Sequence, residues 1–317
     1  MSTAHGTGPT ARPPAPDPVR VSGLVKKFGA FTAVDGLDLT VTAGEVHGFL
    51  GPNGAGKTTT LRVLLGLHRR TAGTVTVLGL DPQTDPAAVT RRTSYVPGDV
   101  ALWPNLTGQE VLDALAGIRG AHDPAAERRL VADFALDTRR KMRTYSKGNR
   151  QKVMLVAAFA ARTDLLVLDE PTSGLDPLME ECFQQCVREA AAQGRTVLLS
   201  SHILHEVERL CGSVTIVRDG RVVETGQVAD LRHLSSSSVT ARVPATSAER
   251  VRHALHALGA GPDDGGVGPA GQIELRVPAA ATTAVLRVLV DADATSVTCT
   301  PATLDDLFLR HYAGAAR

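Results

Sequence analysis

The spacing of apolar residues changes several times along the chain and divides it into predicted strands and helices. Between Val19 and Val46, apolar and polar residues alternate around turn residues such as Gly29 and Asp35-Gly36, which is the pattern of a β-rich segment. Farther along, helical periodicity alternates with short apolar runs, which indicates a mostly parallel sheet covered by helices. The predicted elements there are a helical region 85–141, helix 147–162, strand 165–168, helix 178–193, strand 196–200, helix 202–211 and a hairpin 213–224.

The two ends of the chain differ in composition from this α/β part. Residues 1–18 are rich in Pro, Gly and Thr and have no apolar core, so they are predicted to form a disordered tail. Serines occupy positions 235–238, and a linker is predicted over 231–238. A small α+β domain is predicted over 239–317, from strands 239–243, 272–277 and 296–300, helices 247–258, 280–290 and 303–312, and a Gly-rich loop or poorly ordered strand 259–271.

Charge and hydropathy limit the classes of protein to which this chain can belong. The 317 residues carry a formal net charge of +1, so no basic field indicates a nucleic-acid partner. The longest apolar run, Val153 to Ala161, has nine residues, about half of what a membrane span needs. No signal peptide is recognised either. We therefore expect a soluble, cytoplasmic protein that reaches a membrane only through a partner.

A phosphate-binding loop follows the apolar run Val46 to Leu50. Residues 51–59 read Gly51, Pro52, Asn53, Gly54, Ala55, Gly56, Lys57, Thr58 and Thr59. The glycines allow consecutive backbone N–H groups to face an anion at the start of a helix. Lys57 adds a positive charge for the β- and γ-phosphates, and Thr58 offers a hydroxyl to Mg²⁺. The sequence predicts that ATP and Mg²⁺ bind here.

A second apolar strand, Leu165 to Leu168, ends in the acidic pair Asp169 and Glu170. Active sites of open α/β sheets lie at the carboxyl ends of the strands. Asp169 is predicted to hold Mg²⁺ through water, and Glu170 to polarise the water that attacks the γ-phosphate.

Three short motifs complete a family resemblance: Ser146-Lys147-Gly148, Ser173-Gly174-Leu175-Asp176 and Ser200-Ser201-His202. With the phosphate loop, they make the stretch from about Val19 to Gly226 resemble the ATP-binding subunit of an ABC transporter. The resemblance implies a P-loop NTPase cassette over 19–230. Such a cassette combines an antiparallel β subdomain, a RecA-like parallel sheet and a helical subdomain at about 94–162.

The resemblance also implies roles for single residues. Ser146 and Gly148 would cap the γ-phosphate of an ATP held by the phosphate loop of a second copy, so the cassettes would form a homodimer. Asp176 would couple the two sites across the dimer. His202 would be the switch histidine that contacts the γ-phosphate, with Glu170 as catalytic base beside Lys57. The side chain of Phe28 would stack on adenine.

Two departures from the family pattern affect this interpretation. Gly98-Asp99 stands where the family has a glutamine that touches Mg²⁺ or the attacking water. Either Asp99 substitutes as a carboxylate ligand of the metal, or hydrolysis is slower. The signature also carries Lys147 and Asn149 in place of a glycine and a glutamine, while Ser146 and Gly148 are retained.

The C-terminal run Pro301 to Leu309 resembles the ending of cassettes that serve multidrug and daunorubicin-type exporters. In the same family, the segment Leu102 to Thr107, which holds the only Trp, lies where the transmembrane subunit docks. The resemblance implies the motor of an exporter, bound to a separate ABC-2-type permease at the inner face of the membrane. The alternatives are an ABC ATPase acting on ribosomes or DNA, and a regulatory cassette with slow or no turnover. Nothing in the sequence identifies the transported substrate.

Overall fold

The computed structural model of the protein describes residues 16–233, 236–258, 265–268 and 271–300. Contacts between residues divide these into two compact units. The first comprises the residues up to His202 together with Ile216–Val222, and the second comprises Ile203–Thr215 and the residues from Val223 onward.

A three-stranded antiparallel sheet opens the first unit. Strands β1 (Val19–Phe28), β2 (Phe31–Val41) and β4 (Ala72–Val77) lie in the order β2-β1-β4. Alternate residues such as Val19 and Val21 point into the core, whereas Arg20 and Ser22 are exposed. This alternation is the one that the sequence predicted.

A six-stranded sheet holds the chemistry-bearing loops. In order across the sheet it contains β5 (Thr93–Val96), β6 (Leu165–Asp169), β7 (Thr196–Ser201), β3 (Val46–Leu50), β8 (Ser213–Arg218) and β9 (Arg221–Gln227). The pairings β5–β6, β6–β7 and β7–β3 are parallel. Strands β3, β6 and β7 are buried on both faces, which explains their continuous apolar runs. Parallel pairing brings the carboxyl ends of these strands, and the loops that follow them, to one edge of the sheet.

Helices of the first unit are α1 (Lys57–Leu64), α2 (Pro86–Arg92), α3 (Gly108–Arg119), α4 (Pro124–Asp133), α5 (Lys147–Ala160) and α6 (Pro177–Ala192), with a short 3₁₀ turn at Met142–Thr144. Helix α3 starts at a capping box in which Thr107 and Glu110 satisfy each other's backbone N–H groups. Helices α3 and α4 both pack on α5, whose residues from Gln151 onward are buried. These three helices form the predicted helical part.

The second unit contains α7 (Leu204–Leu210), α8 (Val228–His233) and a four-stranded antiparallel sheet with two helices. Its remaining elements are β10 (Ser236–Arg242), α9 (Ala248–Ala257), β11 (Gly265–Val267), β12 (Gln272–Pro278), α10 (Ala279–Asp291) and β13 (Thr295–Thr300). The βαββαβ order and the strand order β11-β12-β10-β13 are those of a ferredoxin-like module. An α+β architecture was predicted for this region.

The start of this region differs from its prediction. The predicted linker is wrong at both of its described ends, because α8 runs to His233 and Ser236–Ser238 already pair with Arg276–Pro278 of β12. These serines gave no strand signal in the sequence. They form a strand because their backbone pairs with that of β12. The predicted helix 303–312 and most of the predicted tail lie outside the described residues. Among the residues that are described, no helix is both long enough and apolar enough to cross a membrane.

Candidate active site

The loop between β3 and α1 needs its glycines for two different reasons. A Cβ on Gly51 would collide with the carbonyl oxygen of Val217. Gly56 has φ 97°, and a Cβ there would lie 2.6 Å from the carbonyl oxygen of Ala33. The left-handed backbone of Gly56, and the carbonyl oxygens that lie close to both glycines, exclude larger residues at these positions. The tight loop therefore ends at the amino terminus of α1, where the backbone N–H groups can receive an anion.

A cavity of about 260 Å³ lies over this loop. Most of the predicted loop residues line it, together with Glu170 from the end of β6. The lining comprises Phe31, Ala33, Pro52, Asn53, Gly54, Gly56, Lys57, Thr58, Thr59 and Glu170. Ala55 is instead buried, and its carbonyl accepts a hydrogen bond from the Gly220 N–H. The structure thus brings the phosphate loop and the predicted catalytic base to one cavity.

Lys57 is held inside the loop that it belongs to. Its Nζ donates to the carbonyl oxygens of Gly51 at 2.6 Å and Pro52 at 3.2 Å. The same Nζ lies 3.2 Å from Glu170 Oε1, which makes an ion pair. With 6% of its side chain exposed, Lys57 is a buried, pre-positioned positive charge at the floor of the cavity.

Glu170 is fixed from both its backbone and its side chain. It adopts φ 48°, an unusual conformation for a residue other than glycine, and its N–H donates to the Ser200 carbonyl at 3.0 Å. Its Oε2 lies 2.6 Å from Nδ1 of His202, which directly follows β7. The carboxylate therefore sits between the ammonium of Lys57 and the imidazole of His202, the arrangement expected for a positioned general base.

Two residues with oxygen ligands suited to Mg²⁺, Asp169 and Thr58, belong to the same site as Glu170. Asp169 is buried, and its Oδ1 accepts a hydrogen bond from Ser200 Oγ at 2.6 Å, while Thr58 lines the cavity. Hydroxyl and carboxylate oxygens suit Mg²⁺, which keeps several waters and takes further ligands from phosphate. Asp99 is exposed and does not line the cavity. No group of three or more His, Cys, Asp or Glu in the described ranges forms a metal site by itself.

The signature residues do not line the cavity of their own chain. Ser146 is exposed and caps α5, accepting a hydrogen bond from Asn149 N at 3.2 Å. Gly148 faces the loop before α6, where a Cβ would collide with the carbonyl oxygen of Gly174. The Nζ of Lys147 donates to Ser173 Oγ at 2.7 Å. Ser146 and Lys147 are therefore exposed at the start of α5, whereas Gly148 is buried against the Ser173-Gly174 loop.

Asp176 is at the start of the next helix. Its Oδ1 accepts a hydrogen bond from Met179 N at 3.0 Å, which caps α6. Leu178, in the first turn of that helix, has 70% of its surface exposed. An exposed Leu beside an exposed Asp suits a surface that another chain covers.

The comparisons with known proteins all indicate the same family. The family described as "ABC transporter" matches residues 34–173. A daunorubicin/doxorubicin resistance ATP-binding protein of Streptomyces peucetius is 40% identical over 228 residues, covering 70% of this chain and 68% of that protein. The chain belongs to the ABC transporter ATP-binding family. A Nod factor export ATP-binding protein of Burkholderia lata is 36% identical over 214 residues, covering 66% of this chain and 70% of its own.

Solved ABC cassettes support the same assignment. An ATP-binding subunit of an ABC transporter is 34% identical, with a TM-score of 0.63 over 68% of this chain and 91% of its own. A dimeric ATP-binding cassette bound to ADP and Pi is 23% identical, with a TM-score of 0.60 over 66% of this chain and 98% of its own, and shows the fold alone. The predicted ABC fold, the ATPase activity and the role as motor subunit of an export system are confirmed.

The positions of two side chains in this ABC cassette were not predicted from the sequence. Phe31 lines the cavity, whereas Phe28 lies against His68, with ring centroids 5.5 Å apart, and under Lys26 Nζ at 4.5 Å. The stacking of Phe28 on adenine stays a prediction. The hydroxyl of Ser200 was also missed, although the register of β6 and β7 pairs it with Asp169. Its signal was a polar residue at the end of an apolar strand.

Proposed function

We propose that two copies of this cassette close around two ATP·Mg²⁺ and drive an ABC-2-type permease at the cytoplasmic face of the membrane. One observation carries the proposal. Most of the phosphate loop and Glu170 line one cavity, while the helix start that holds the exposed Ser146 and the buried Gly148 lies elsewhere on the same chain. Each chain therefore presents half a site and a separate cap, which fits a head-to-tail dimer. The dimeric cassette among the similar folds is in keeping with this arrangement.

In the proposed mechanism, the backbone N–H groups of the loop and Lys57 bind the β- and γ-phosphates. Glu170 accepts the proton of the attacking water, and His202 keeps the carboxylate in place from the other side. Thr58 and Asp169 would hold Mg²⁺, whose chemistry when bound is to neutralise charge on the phosphates. A complete set of Lys57, Glu170 and His202 favours turnover over a purely regulatory cassette.

The half-site arrangement is tested by Gly148→Ala. The added methyl group meets the Gly174 carbonyl oxygen and forces the start of α5 away from its position. We expect ATP affinity of the monomer to change by less than about three-fold, while turnover falls about ten-fold or more because the cap no longer fits the partner's phosphate. Nucleotide titration and phosphate release measure the two quantities.

Gly117→Ala is the matched control for this variant. Gly117 lies on α3, and a Cβ there meets nothing within 4 Å, so its turnover should equal that of the wild type. If Gly148→Ala kept full turnover, or lost ATP binding in proportion, the proposed cap in trans would be wrong.

A groove of about 270 Å³ is an observation in favour of the proposed membrane partner. Apolar side chains flank it, and two of them, Leu67 and Ile118, are 59% and 75% exposed. Arg91 and Arg119 also line it; neither forms a salt bridge in the described part of the chain, although Arg119 donates hydrogen bonds to Ser94 Oγ and the Ala157 carbonyl. This combination suits an amphipathic cytoplasmic segment of a permease that carries a carboxylate. The half-exposed Trp103 adds apolar surface in the segment predicted to dock that partner.

Ile118→Glu tests this docking surface. A carboxylate in the groove would repel the proposed acidic segment and lose the apolar contact, so co-purification with the co-expressed permease should fall about ten-fold or more. ATPase activity of the isolated cassette should not change, because Ile118 does not line the nucleotide cavity. Val290→Glu, at a similarly exposed apolar residue on α10, is the control. Undiminished capture of the permease by Ile118→Glu would exclude this groove.

A further inference from the structure

Phe31 is an exposed aromatic residue in the wall of the nucleotide cavity. It lines the cavity together with the phosphate loop, and 66% of its surface is exposed. Single exposed apolar residues are common, but this one shares a cavity with the buried ammonium of Lys57. The cavity therefore offers a positive charge suited to phosphate and an aromatic ring suited to a base.

The start of β2 is held against the phosphate loop. Phe31 and Ala33 are two residues apart on this strand, so their side chains point to the same face, and both line the cavity. The Ala33 carbonyl oxygen lies so close to Gly56 that a Cβ there would be 2.6 Å away. Gly220 joins the two segments, because its carbonyl accepts a hydrogen bond from Asp35 N at 2.8 Å and its N–H donates to the loop at 3.1 Å. These contacts hold the first residues of β2 beside the loop.

Phe28, to which the family resemblance assigns the stacking role, lies in a different environment. It is the cross-strand partner of Phe31 in the hairpin of β1 and β2. The Nζ of Lys26 lies 4.5 Å from its ring centroid and also donates to the Arg69 carbonyl at 2.9 Å. The imidazole of His68 makes an edge contact, with the ring centroids 5.5 Å apart. The ring of Phe28 thus already has two neighbours from its own chain, and it does not line the cavity.

We propose that Phe31, rather than Phe28, is the aromatic residue on which the base of ATP stacks. The triphosphate would occupy the loop at Lys57, and the exposed ring at the start of β2 would offer its face to the base. Stacking of this kind uses the π-face of the base. The inference rests on the proposed binding of ATP in this cavity. It assigns the base to a residue three positions after the one that the family resemblance indicates.

Phe31→Ala is the most direct test, measured by calorimetric titration in the presence of Mg²⁺. The Kd for ATP should rise about five- to 150-fold, because stacking of one base on an aromatic side chain contributes about that much. Inorganic tripolyphosphate carries the phosphates but no base, so the variant and the wild type should bind it within about two-fold of each other. Phe31→Tyr keeps the ring and should bind ATP like the wild type.

Three further variants separate stacking from general damage to the protein. Phe28→Ala removes the competing ring and should raise the Kd for ATP less than Phe31→Ala does. Val290→Ala, at an apolar residue on α10 that is 67% exposed, should bind ATP like the wild type. Phe31→Trp places an indole at the proposed stacking position. Relative to the wild type, whose only Trp is Trp103, its fluorescence should change with ATP but not with tripolyphosphate.

Three results would overturn the inference. These are unchanged ATP affinity in Phe31→Ala, an equal loss of affinity for ATP and tripolyphosphate, and a larger loss in Phe28→Ala than in Phe31→Ala. Where Phe31→Ala does not fold, Phe31→Trp decides the question, because fluorescence that ATP leaves unchanged excludes stacking at this position. Failure of the proposed function is recognised separately, because Lys57→Ala would then keep its affinity for ATP.

Discussion

Glu170→Gln is expected to abolish turnover and to trap an ATP-bound dimer. The amide cannot accept the proton of the attacking water, and loss of a general base costs about 10²- to 10⁴-fold in rate. The substitution also removes the negative charge 3.2 Å from Lys57 Nζ, so the lysine is freed for phosphate and ATP affinity should not fall. Phosphate release measures the rate, and size-exclusion chromatography with ATP and Mg²⁺ measures the dimer.

Glu181→Gln is the matched control, because Glu181 is an exposed carboxylate on α6 outside the cavity. It should hydrolyse ATP like the wild type and show no trapped dimer. A Glu170→Gln protein that stays monomeric with ATP would contradict the head-to-tail dimer. One that hydrolyses ATP normally would contradict the role of Glu170.

Local patterns were enough to predict most of the first unit. The buried strands β3, β6 and β7 are short apolar runs followed directly by Gly51, Glu170 and His202, so sequence alone placed these residues next to strand ends. Parallel topology then implied that they meet at one edge of the sheet. The distances within the site follow from the pairing register of the strands, which the pattern does not encode.

The features missed from the sequence all depend on contacts between distant segments. Gly98 and Glu170 are brought together by the pairing of β5 with β6, and the sequence showed only that an expected glutamine was absent. Phe31 follows a turn next to Phe28, and only the three-dimensional structure shows which of the two lines the cavity. The serines that begin β10 likewise become a strand through pairing with β12. In each case tertiary packing overrides local preference.

In the proposed mechanism, the ion pair between Lys57 and Glu170 links nucleotide binding to catalysis. The ammonium is held by two carbonyls of its own loop and by Glu170, the proposed general base. Phosphate oxygens compete with Glu170 for this ammonium. In the proposed mechanism, binding of ATP would release one oxygen of the carboxylate, while His202 would still hold the other.

Lys57→Ala is consequently expected to weaken ATP binding rather than only to slow turnover. Charge-assisted hydrogen bonds contribute about 1.5–3 kcal/mol, which corresponds to about a 10- to 150-fold loss of affinity. The carbonyls of Gly51 and Pro52 also lose their donor, which loosens the loop. Titration with ATP by calorimetry measures the loss. Lys141→Ala, which removes an exposed cation, should bind ATP like the wild type. Unchanged affinity in Lys57→Ala would place the triphosphate outside this loop, since the buried ammonium is the strongest charge that the loop offers to an anion.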